Sequence, residues 1–368
     1  MKININNIII AHELGHTADF RRRDKFYNQI TKRMQWSKKS ELSEMLVAEV
    51  DGCAFEPATG ESVLERGILE KDIKTMRENS YAHPFFLRSN ILKDVLNVIN
   101  NLNFYNRFNN ENLLGSVIKD MIRKKDVSVS GTYWLTGGMK DHDQVLAAGI
   151  FQKIAFDPNI LTMVGKYLGA TPIHVATNLC FSTPTNNVLE RSMNVHQYHQ
   201  DCGFVNSVKV FIYLTDTYDE NGPHYYIAAS NRKDSNEIID GYFESKLMTD
   251  DELALIYGKE NIRSIEGKAG TIAFGDISCF HKDGEVKKGA RLVIGLEYTN
   301  SLFGASVNYF NTEINQNLIS DYSTAIKNRI QSNYDPHKSK SYDAYQKSVW
   351  RKVSLNYLRL KQKILKQI

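Results

Sequence analysis

The spacing of apolar residues divides the chain into helical and extended parts. Apolar residues recur at intervals of three and four from Arg88 to Ile99, from Leu113 to Met121 and from Pro158 to Gly169, which predicts three helices. The Asn-rich stretch Asn100–Asn112, between the first two, is predicted to be a connector. From Ile173 onward the pattern changes to short apolar runs broken by turn residues. This change indicates a β-rich region after the helices.

The β-rich region contains four runs that are rich in β-branched and aromatic residues. These predicted strands are Val208–Thr215, Tyr225–Ala228, Gly270–Phe274 and Arg291–Tyr298. Several strands with few helices between them are typical of an antiparallel sandwich or jelly roll, so we expect a mainly β fold with flanking helices. An insert over residues 231–262 interrupts the strands and holds one predicted helix, Asp250–Tyr257, with Thr249 as its N-cap.

This pattern divides the chain into three segments. Residues 1–112 are predicted to form a charged, helical N-terminal extension, residues 113–310 the β domain, and residues 311–368 a helical, basic C-terminal extension. From Tyr342 to Ile364, apolar residues at helical spacing alternate with lysines and arginines, which predicts a basic amphipathic helix. We expect this helix to pack on its own domain; peripheral contact with a partner or an anionic membrane surface is the alternative.

Composition and charge narrow the class of protein. Apolar residues make up 42% of the chain, which fits a folded globular protein. The formal net charge is only +4, so the composition gives no indication of nucleic-acid binding. No apolar stretch is long enough to span a bilayer, and no secretory signal is recognisable. The four cysteines are scattered without a CxxC pair, so we expect reduced thiols and a cytoplasmic location.

A candidate metal site lies at the start of the β-rich region, in His199-Gln200-Asp201. Residues i and i+2 of an extended chain project to the same face, so both side chains can reach one ion. A second histidine would complete the two-histidine, one-carboxylate face that is typical of non-haem Fe(II). His281-Lys282-Asp283 has the same pattern, but it leaves only His337 downstream, in a polar stretch. We therefore predict His199 and Asp201 as the pair and His281 as the distal ligand.

Arg291 follows the distal histidine by ten residues and begins a predicted strand of apolar residues. A guanidinium group offers the two-pronged geometry that a carboxylate accepts, and a keto diacid needs such a cation at its far carboxylate. A buried arginine also requires a partner, because an unpaired buried charge is costly. Taken alone, Arg291 is equally compatible with an ordinary arginine at the end of a surface strand. Its order behind His281 favours the co-substrate role.

These residues belong to a longer set of matching segments. The segments are Tyr198–Asp201, Lys209–Asp216, Glu220–His224, Ala228–Asn231, Gly267–Thr271 and Leu296–Gly304, with His281 and Arg291 between them. Together they resemble the phytanoyl-CoA dioxygenase family of Fe(II)- and 2-oxoglutarate-dependent oxygenases, and are most similar to bacterial members whose substrate is unassigned. Weaker similarity upstream extends the resemblance to about residues 113–310.

The resemblance implies a double-stranded β-helix, a jelly roll of the cupin type, with His199, Asp201 and His281 on Fe(II). It also implies that Arg291 and Tyr213 contact 2-oxoglutarate. We expect the enzyme to use O2, with ascorbate as a stimulant, and to hydroxylate a small metabolite or a carrier-linked or sugar-type substrate with release of succinate and CO2. One departure concerns Asp283, because relatives often have a small residue or serine two places after the distal histidine; its effect on the co-substrate pocket stays open.

Two alternatives belong to other functional classes. His12-Glu13-Leu14-Gly15-His16 is an HExxH motif, which on a helix could bind Zn(II) with Glu13 as general base and Glu44 or Glu49 as third ligand, as in a metallopeptidase. Only eleven residues precede the motif, which leaves little room for the sheet of a peptidase cleft. The other alternative is a jelly roll that binds a ligand without chemistry. A missing metal ligand or arginine would indicate such a loss, and none is missing.

Overall fold

The computed structural model describes a mainly β protein with helices on one side of its larger sheet. The described residues are 55, 59–106, 108–135, 148–187, 190, 196–201, 204, 206–232, 248–300, 312–331 and 334. The predicted HExxH motif, the basic amphipathic helix and most of the first half of the 231–262 insert lie outside these ranges. No helix within the described ranges is long and apolar enough to cross a membrane.

The described strands form two antiparallel sheets. The strands are β1 (Tyr81–Phe86), β2 (Asn103–Asn106), β3 (Glu111–Leu114), β4 (Thr132–Trp134), β5 (Ile173–Ser182), β6 (Ser207–Tyr213), β7 (His224–Ile227), β8 (Ile262–Ile265), β9 (Thr271–Asp276), β10 (His281–Asp283) and β11 (Arg291–Thr299). The major sheet has the order β1-β9-β6-β11-β5-β4-β2-β3, and the minor sheet has the order β10-β7-β8. The four strands predicted from the sequence are confirmed as β6, β7, β9 and β11.

Seven α-helices lie within the described ranges. They are α1 (Glu70–Asn79), α2 (Ser89–Ile99), α3 (Gly115–Lys124), α4 (Gly149–Ala155), α5 (Pro158–Leu168), α6 (Asp250–Tyr257) and α7 (Thr324–Gln331), and short 3-10 turns occupy Asp219–Asn221, Lys259–Asn261 and Gln316–Ile319. The predicted helices from residues 88, 158 and 250 are thus confirmed.

Capping residues explain where the predicted helices begin and end. The Asp157 carboxylate accepts hydrogen bonds from the amides of Asn159 and Ile160 at the start of α5, and Gly169 ends that helix with φ 71°. This left-handed conformation costs glycine little because it has no Cβ. In α6, the Thr249 hydroxyl and the Glu252 carboxylate form a reciprocal capping box.

The major sheet buries one face against helices and turns the other toward the minor sheet. In β6, Val208, Val210 and Ile212 belong to the large apolar core that includes the helices, whereas Tyr213 packs with residues of the minor sheet. Because successive residues of a strand alternate between faces, Lys209 lies on the same face as Tyr213. The sheet alternation therefore places polar side chains of β6 in the space between the two sheets.

Side-chain contacts hold the two sheets face to face. The Tyr81 ring of β1 stacks on the Tyr226 ring of β7 with centroids 3.7 Å apart. The Phe211 ring of β6 lies 4.2 Å from the imidazole of His224 on β7. Such aromatic pairs add about 0.5–1.5 kcal/mol each beyond the area they bury. The result is an open jelly roll, as the sequence predicts, and the candidate site lies between its two sheets.

Two sequence predictions upstream of the β domain are wrong in detail. Asn100–Asn112 is predicted to be a connector, but it contains β2 and the first half of β3, which form a hairpin in which Phe104 pairs with Leu113. The helix predicted from Leu113 begins at Gly115, because Leu113 still packs as a strand residue into the core. Phe104 and Leu113 are buried, so tertiary packing overrides the helical spacing here.

The major sheet also extends beyond the predicted β domain. Strand β1 pairs with β9, so part of the segment 1–112 is not a helical extension but an edge strand of this sheet. The boundaries at residues 112 and 310 themselves stay predictions.

Candidate metal centre

His199 and His281 are brought together by the backbone. The His199 amide donates to the His281 carbonyl at 3.0 Å, and the His281 amide donates to the His199 carbonyl at 2.9 Å. His281 is the first residue of β10, and His199 forms an isolated antiparallel bridge with it. The two imidazole centroids consequently lie 4.3 Å apart. A directly opposed pair of this kind presents both side chains on one face.

Each imidazole is oriented by a backbone carbonyl two residues before it. His199 Nδ1 lies 2.8 Å from the Gln197 carbonyl oxygen, and His281 Nδ1 lies 2.9 Å from the Cys279 carbonyl oxygen. A carbonyl can only accept, so Nδ1 is the protonated nitrogen in both rings. In a neutral ring with its proton on Nδ1, Nε2 carries the free lone pair that a metal ligand requires.

Asp201 completes a group of three donors. Its amide donates to the Ile277 carbonyl at 2.8 Å, which fixes the backbone beside the two histidines. Its carboxylate oxygens lie 3.8 Å from His199 Nε2 and 3.7 Å from His281 Nε2. All three donor atoms lie within 4.8 Å of one another. An ion at about 2.1 Å from two adjacent ligands separates them by about 3 Å, so each imidazole nitrogen has to approach the carboxylate by less than about 1 Å for binding.

The charges around the group favour its metal-binding form. Burial raises the pKa of Asp201, but His281, Lys209 and His199 together lower it well below its usual range, so the carboxylate is ionised. Burial, followed by the charge of His281, lowers the pKa of His199 and keeps its imidazole neutral. A carboxylate anion and neutral imidazoles are the species that ligate a cation, because no proton has to leave first.

Lys209 is a neighbour of the metal group that the sequence analysis missed. Its Nζ lies 3.8 Å from Asp201 Oδ2, and its side chain is 21% exposed. Burial lowers the pKa of Lys209, but the negative charges of Asp201 and Glu297 raise it by a larger amount, so the ammonium group stays charged. Glu297 lies directly opposite Lys209 in the register of β11 and β6. The alternation of β6 contained the signal, because it places Lys209 and Tyr213 on one face.

Arg291 lies at the other end of the same face of the sheet, fully buried. Its Nη2 lies 3.1 Å from Asp283 Oδ2, and its Nη1 donates to the Gly222 carbonyl. Its Nε has no hydrogen-bond partner although it is buried. The predicted arginine is thus interior and only 2% exposed, so it is not the surface residue that the sequence left open. The carboxylate of Asp283 points toward the guanidinium of Arg291.

Asp283 is held from a second side by His224, another residue missed at the sequence level. His224 Nδ1 lies 3.2 Å from Asp283 Oδ1, and the Tyr81 hydroxyl lies 2.9 Å from His224 Nε2. Burial lowers the pKa of His224 to about 4, although Asp283 opposes this shift. His224 is therefore neutral near pH 7, and Arg291 and Asp283 are the two formal charges of this cluster. Its members come from four strands, so no local motif reveals it.

Tyr213, the predicted aromatic neighbour of the co-substrate, is buried behind this cluster. Its hydroxyl donates to the Ile265 carbonyl at 3.0 Å and accepts from the His224 amide at 2.9 Å. The hydroxyl therefore connects β6 to β7 and β8 of the minor sheet. Its contact with a co-substrate stays a prediction.

Three solved structures illustrate the low similarity to proteins of known structure. The non-heme alpha ketoglutarate dependent epimerase SnoN from nogalamycin biosynthesis is 14% identical over 63% of this chain and 82% of its own, with a TM-score of 0.40. EctD from S. alaskensis with bound Fe is 14% identical over 72% and 89%, with a TM-score of 0.40. HygX from Streptomyces hygroscopicus with nickel and 2-oxoglutarate bound is 11% identical over 68% and 94%, with a TM-score of 0.43. At these TM-scores the similarities carry no conclusion.

The family comparison is more informative. A search of curated proteins gave no significant match. The family model of phytanoyl-CoA dioxygenase matches residues 120–289, a range that contains His199, Asp201 and His281 and ends just before Arg291. The match covers most of the predicted β domain, and the two-histidine, one-carboxylate donor set suits the iron chemistry of that family. Residues 120–289 are therefore similar to the phytanoyl-CoA dioxygenase family.

Proposed function

We propose that this chain is an Fe(II)- and 2-oxoglutarate-dependent oxygenase that hydroxylates a small molecule, with His199, Asp201 and His281 as the metal ligands. The observation that carries the proposal is the convergence of two imidazole nitrogens and one ionised carboxylate within 4.8 Å. Backbone hydrogen bonds fix all three residues before any ion binds. Three protein ligands on one face of an octahedron leave positions for a keto acid and O2.

Arg291 is the proposed anchor for the distal carboxylate of 2-oxoglutarate. It is a buried cation whose Nε has no hydrogen-bond partner, so one of its donors is available to a ligand. Its partner Asp283 lies two residues after His281 on β10, a spacing that corresponds to about 6–7 Å. A five-carbon diacid has about the length needed to reach from the metal group to the guanidinium. The residues present thus fit the co-substrate.

Within this proposal the protein's own groups bind, orient and shield the reactants. When bound, iron and 2-oxoglutarate supply O2 activation, and the reaction releases succinate and CO2 as it oxidises the substrate. Asp201 balances part of the charge of the metal ion, and the two imidazoles keep their orientation through Gln197 and Cys279. Apolar and aromatic side chains such as Phe211 line the space between the sheets and limit the access of water.

The open side of the metal group indicates where the substrate binds. The side chain of Asp201 is 40% exposed and that of His199 is 21% exposed, whereas that of His281 is only 4% exposed. The substrate therefore approaches from the side of Asp201 and His199. Residues 183–198 and 231–262 flank this side in the sequence, so we propose that they supply substrate contacts. A small metabolite or a carrier-linked or sugar-type molecule is the proposed substrate class.

The proposal is tested by turnover of 2-oxoglutarate in the absence of a known substrate. Purified protein with Fe(II), ascorbate and 2-oxoglutarate should produce succinate, and the variant Asp201→Ala should produce none. His12→Ala serves as a control for the N-terminal HExxH motif and should turn over like the parent. Absence of succinate together with absence of iron binding would remove the proposal. If succinate is formed, a metabolite extract screened for a mass gain of one oxygen would identify the substrate.

A further inference from the structure

The guanidinium of Arg291 already holds a carboxylate that belongs to the chain itself. Asp283 Oδ2 lies 3.1 Å from Nη2, and the Gly222 carbonyl accepts from Nη1. A carboxylate ligand binds an arginine best through two adjacent N–H groups. The Nε–Nη2 edge offers such a pair, but Asp283 occupies half of it while Nε is without a partner. The anchor is thus partly filled from within the protein.

From this arrangement we infer that Asp283 competes with 2-oxoglutarate for Arg291 and thereby sets the affinity and selectivity for the keto acid. The inference rests on the proposed function. Asp283 balances the buried charge of Arg291 in the absence of a ligand, and a second carboxylate arriving at the guanidinium meets a like charge there. Like charges at such a distance disfavour binding, and the effect is larger in a poorly solvated interior than in water.

Exposure indicates which of the two partners gives way. The side chain of Arg291 is 2% exposed and fixed by Gly222, whereas that of Asp283 is 32% exposed. Asp283 therefore has access to solvent into which its carboxylate can turn, while the guanidinium has none. His224 holds the other carboxylate oxygen at 3.2 Å, and Tyr81 in turn contacts His224 at 2.9 Å. These contacts add to the cost of displacing Asp283, so the incoming keto acid has to replace the ion pair with Arg291 and also break the contact with His224.

The consequence is a selectivity that depends on Asp283. In the parent protein, the distal carboxylate of 2-oxoglutarate gains less from Arg291 than it would without Asp283, because Asp283 has to be displaced first. In Asp283→Asn, the guanidinium has lost its counter-ion, and the ligand supplies the missing negative charge. A keto acid without a distal carboxylate makes no such gain in either protein. Asp283 is thus a positioning residue for Arg291, not a metal ligand.

The test compares two keto acids on the metal-loaded protein. Calorimetric titrations of the Ni(II)-loaded parent and Asp283→Asn with 2-oxoglutarate and with 2-oxopentanoate give four dissociation constants. We expect the preference for 2-oxoglutarate over 2-oxopentanoate to rise at least about tenfold in Asp283→Asn, which corresponds to about 1.4 kcal/mol. Asp120→Asn, which changes an exposed carboxylate on α3, should leave the preference unchanged. Asp283→Ser carries the same test if Asp283→Asn does not fold.

The outcomes separate this inference from the proposed function. An unchanged preference in Asp283→Asn and Asp283→Ser, with binding of 2-oxoglutarate to the parent, would overturn the inference and leave the proposed function standing. Failure of every protein to bind 2-oxoglutarate would overturn both. A purely structural role of Asp283 would weaken both keto acids equally, so it predicts an unchanged ratio. The ratio therefore distinguishes the competing carboxylate from a merely stabilising one.

Discussion

His199 and His281 exchange both backbone hydrogen bonds, at 3.0 and 2.9 Å, and this bridge brings two segments distant in the sequence into one metal-binding group. The bridge fixes the separation of the imidazoles independently of the side chains. Because Gln197 and Cys279 also fix the ring nitrogens, the two histidines are oriented for an ion before it binds. Such preorganisation lowers the cost of binding, because little ordering remains to be done.

Removal of Asp201 should abolish metal binding and turnover together. Asp201→Ala removes one of three proposed protein ligands, and we expect iron affinity to fall by at least about a hundredfold, the upper end for loss of a supporting residue around a metal. Calorimetric titration with Mn(II), a redox-stable substitute, would measure the change. Asp120→Ala is the matched control at an exposed site. Retention of parental metal affinity by Asp201→Ala would contradict the assignment of this ligand.

Removal of Arg291 should separate metal binding from co-substrate binding. Arg291→Ala leaves the three donors intact, but it deletes the proposed carboxylate anchor and leaves Asp283 as an uncompensated negative charge. Truncation of one partner of a buried charged pair typically costs about 2–5 kcal/mol, or roughly 30- to 5,000-fold in affinity. Titration of the Mn(II)-loaded variant with 2-oxoglutarate measures this loss, with the exposed Arg123→Ala as control. Equal affinities in the variant and the parent would place the anchor elsewhere.

Removal of the positive charge beside Asp201 should strengthen metal binding. Lys209 Nζ lies 3.8 Å from Asp201 Oδ2, where it competes with the ion for the carboxylate and repels the ion. In Lys209→Met we expect metal affinity to rise about 3- to 30-fold, or about 0.7–2 kcal/mol. The same Mn(II) titration applies, and Lys93→Met on the exposed side of α2 is the control. Weaker metal binding in Lys209→Met would show that the lysine supports the site instead.

The buried His224 should make the fold sensitive to acid. Burial lowers its pKa to about 4, whereas an unfolded histidine titrates near pH 6.5. As the pH decreases, the unfolded state takes up the proton first. The contribution of His224 to the free energy of unfolding is therefore fully present above about pH 6.5 and is lost as the pH falls to about 4. The contribution of His224 is at most about 3 kcal/mol.

His224→Gln isolates this contribution, since glutamine can hydrogen-bond but does not titrate. Urea unfolding of the metal-free protein at pH 7 and pH 4.5 should show a smaller loss of unfolding free energy in His224→Gln than in the parent. If the two proteins lost the same amount, His224 would not be the group that responds to acid.

The sequence predicted much of the β domain because its central strands carry strong local signals. Val208–Thr215 and Arg291–Tyr298 combine β-branched residues with defined ends, and both became strands of the major sheet. The His-x-Asp pair and a later histidine could be selected by order along the chain, and the structure brings these three side chains together. In contrast, the hairpin of β2 and β3 was missed because its strands have only four residues each, too few for a periodicity to show.

The remaining features of the site depend on contacts across strands that no local pattern encodes. Asp283 meets Arg291 and His224 only because β10 pairs with β7 and the minor sheet faces β11. From the sequence alone, Asp283 could only be noted as a departure from relatives, and the orientation of its side chain could not be predicted. Lys209 is the intermediate case, since the alternation in β6 already placed it on the face of Tyr213.

The most direct measurement of the central claim is the location of iron in crystals grown without oxygen in the presence of Fe(II) and 2-oxoglutarate. Anomalous scattering at the iron edge should give one peak within bonding distance of His199 Nε2, His281 Nε2 and the Asp201 carboxylate. The distal carboxylate of 2-oxoglutarate should lie on the Nε–Nη2 edge of Arg291, with Asp283 turned away. Iron bound elsewhere, for example at His12 and His16, with none among these three residues, would contradict the account.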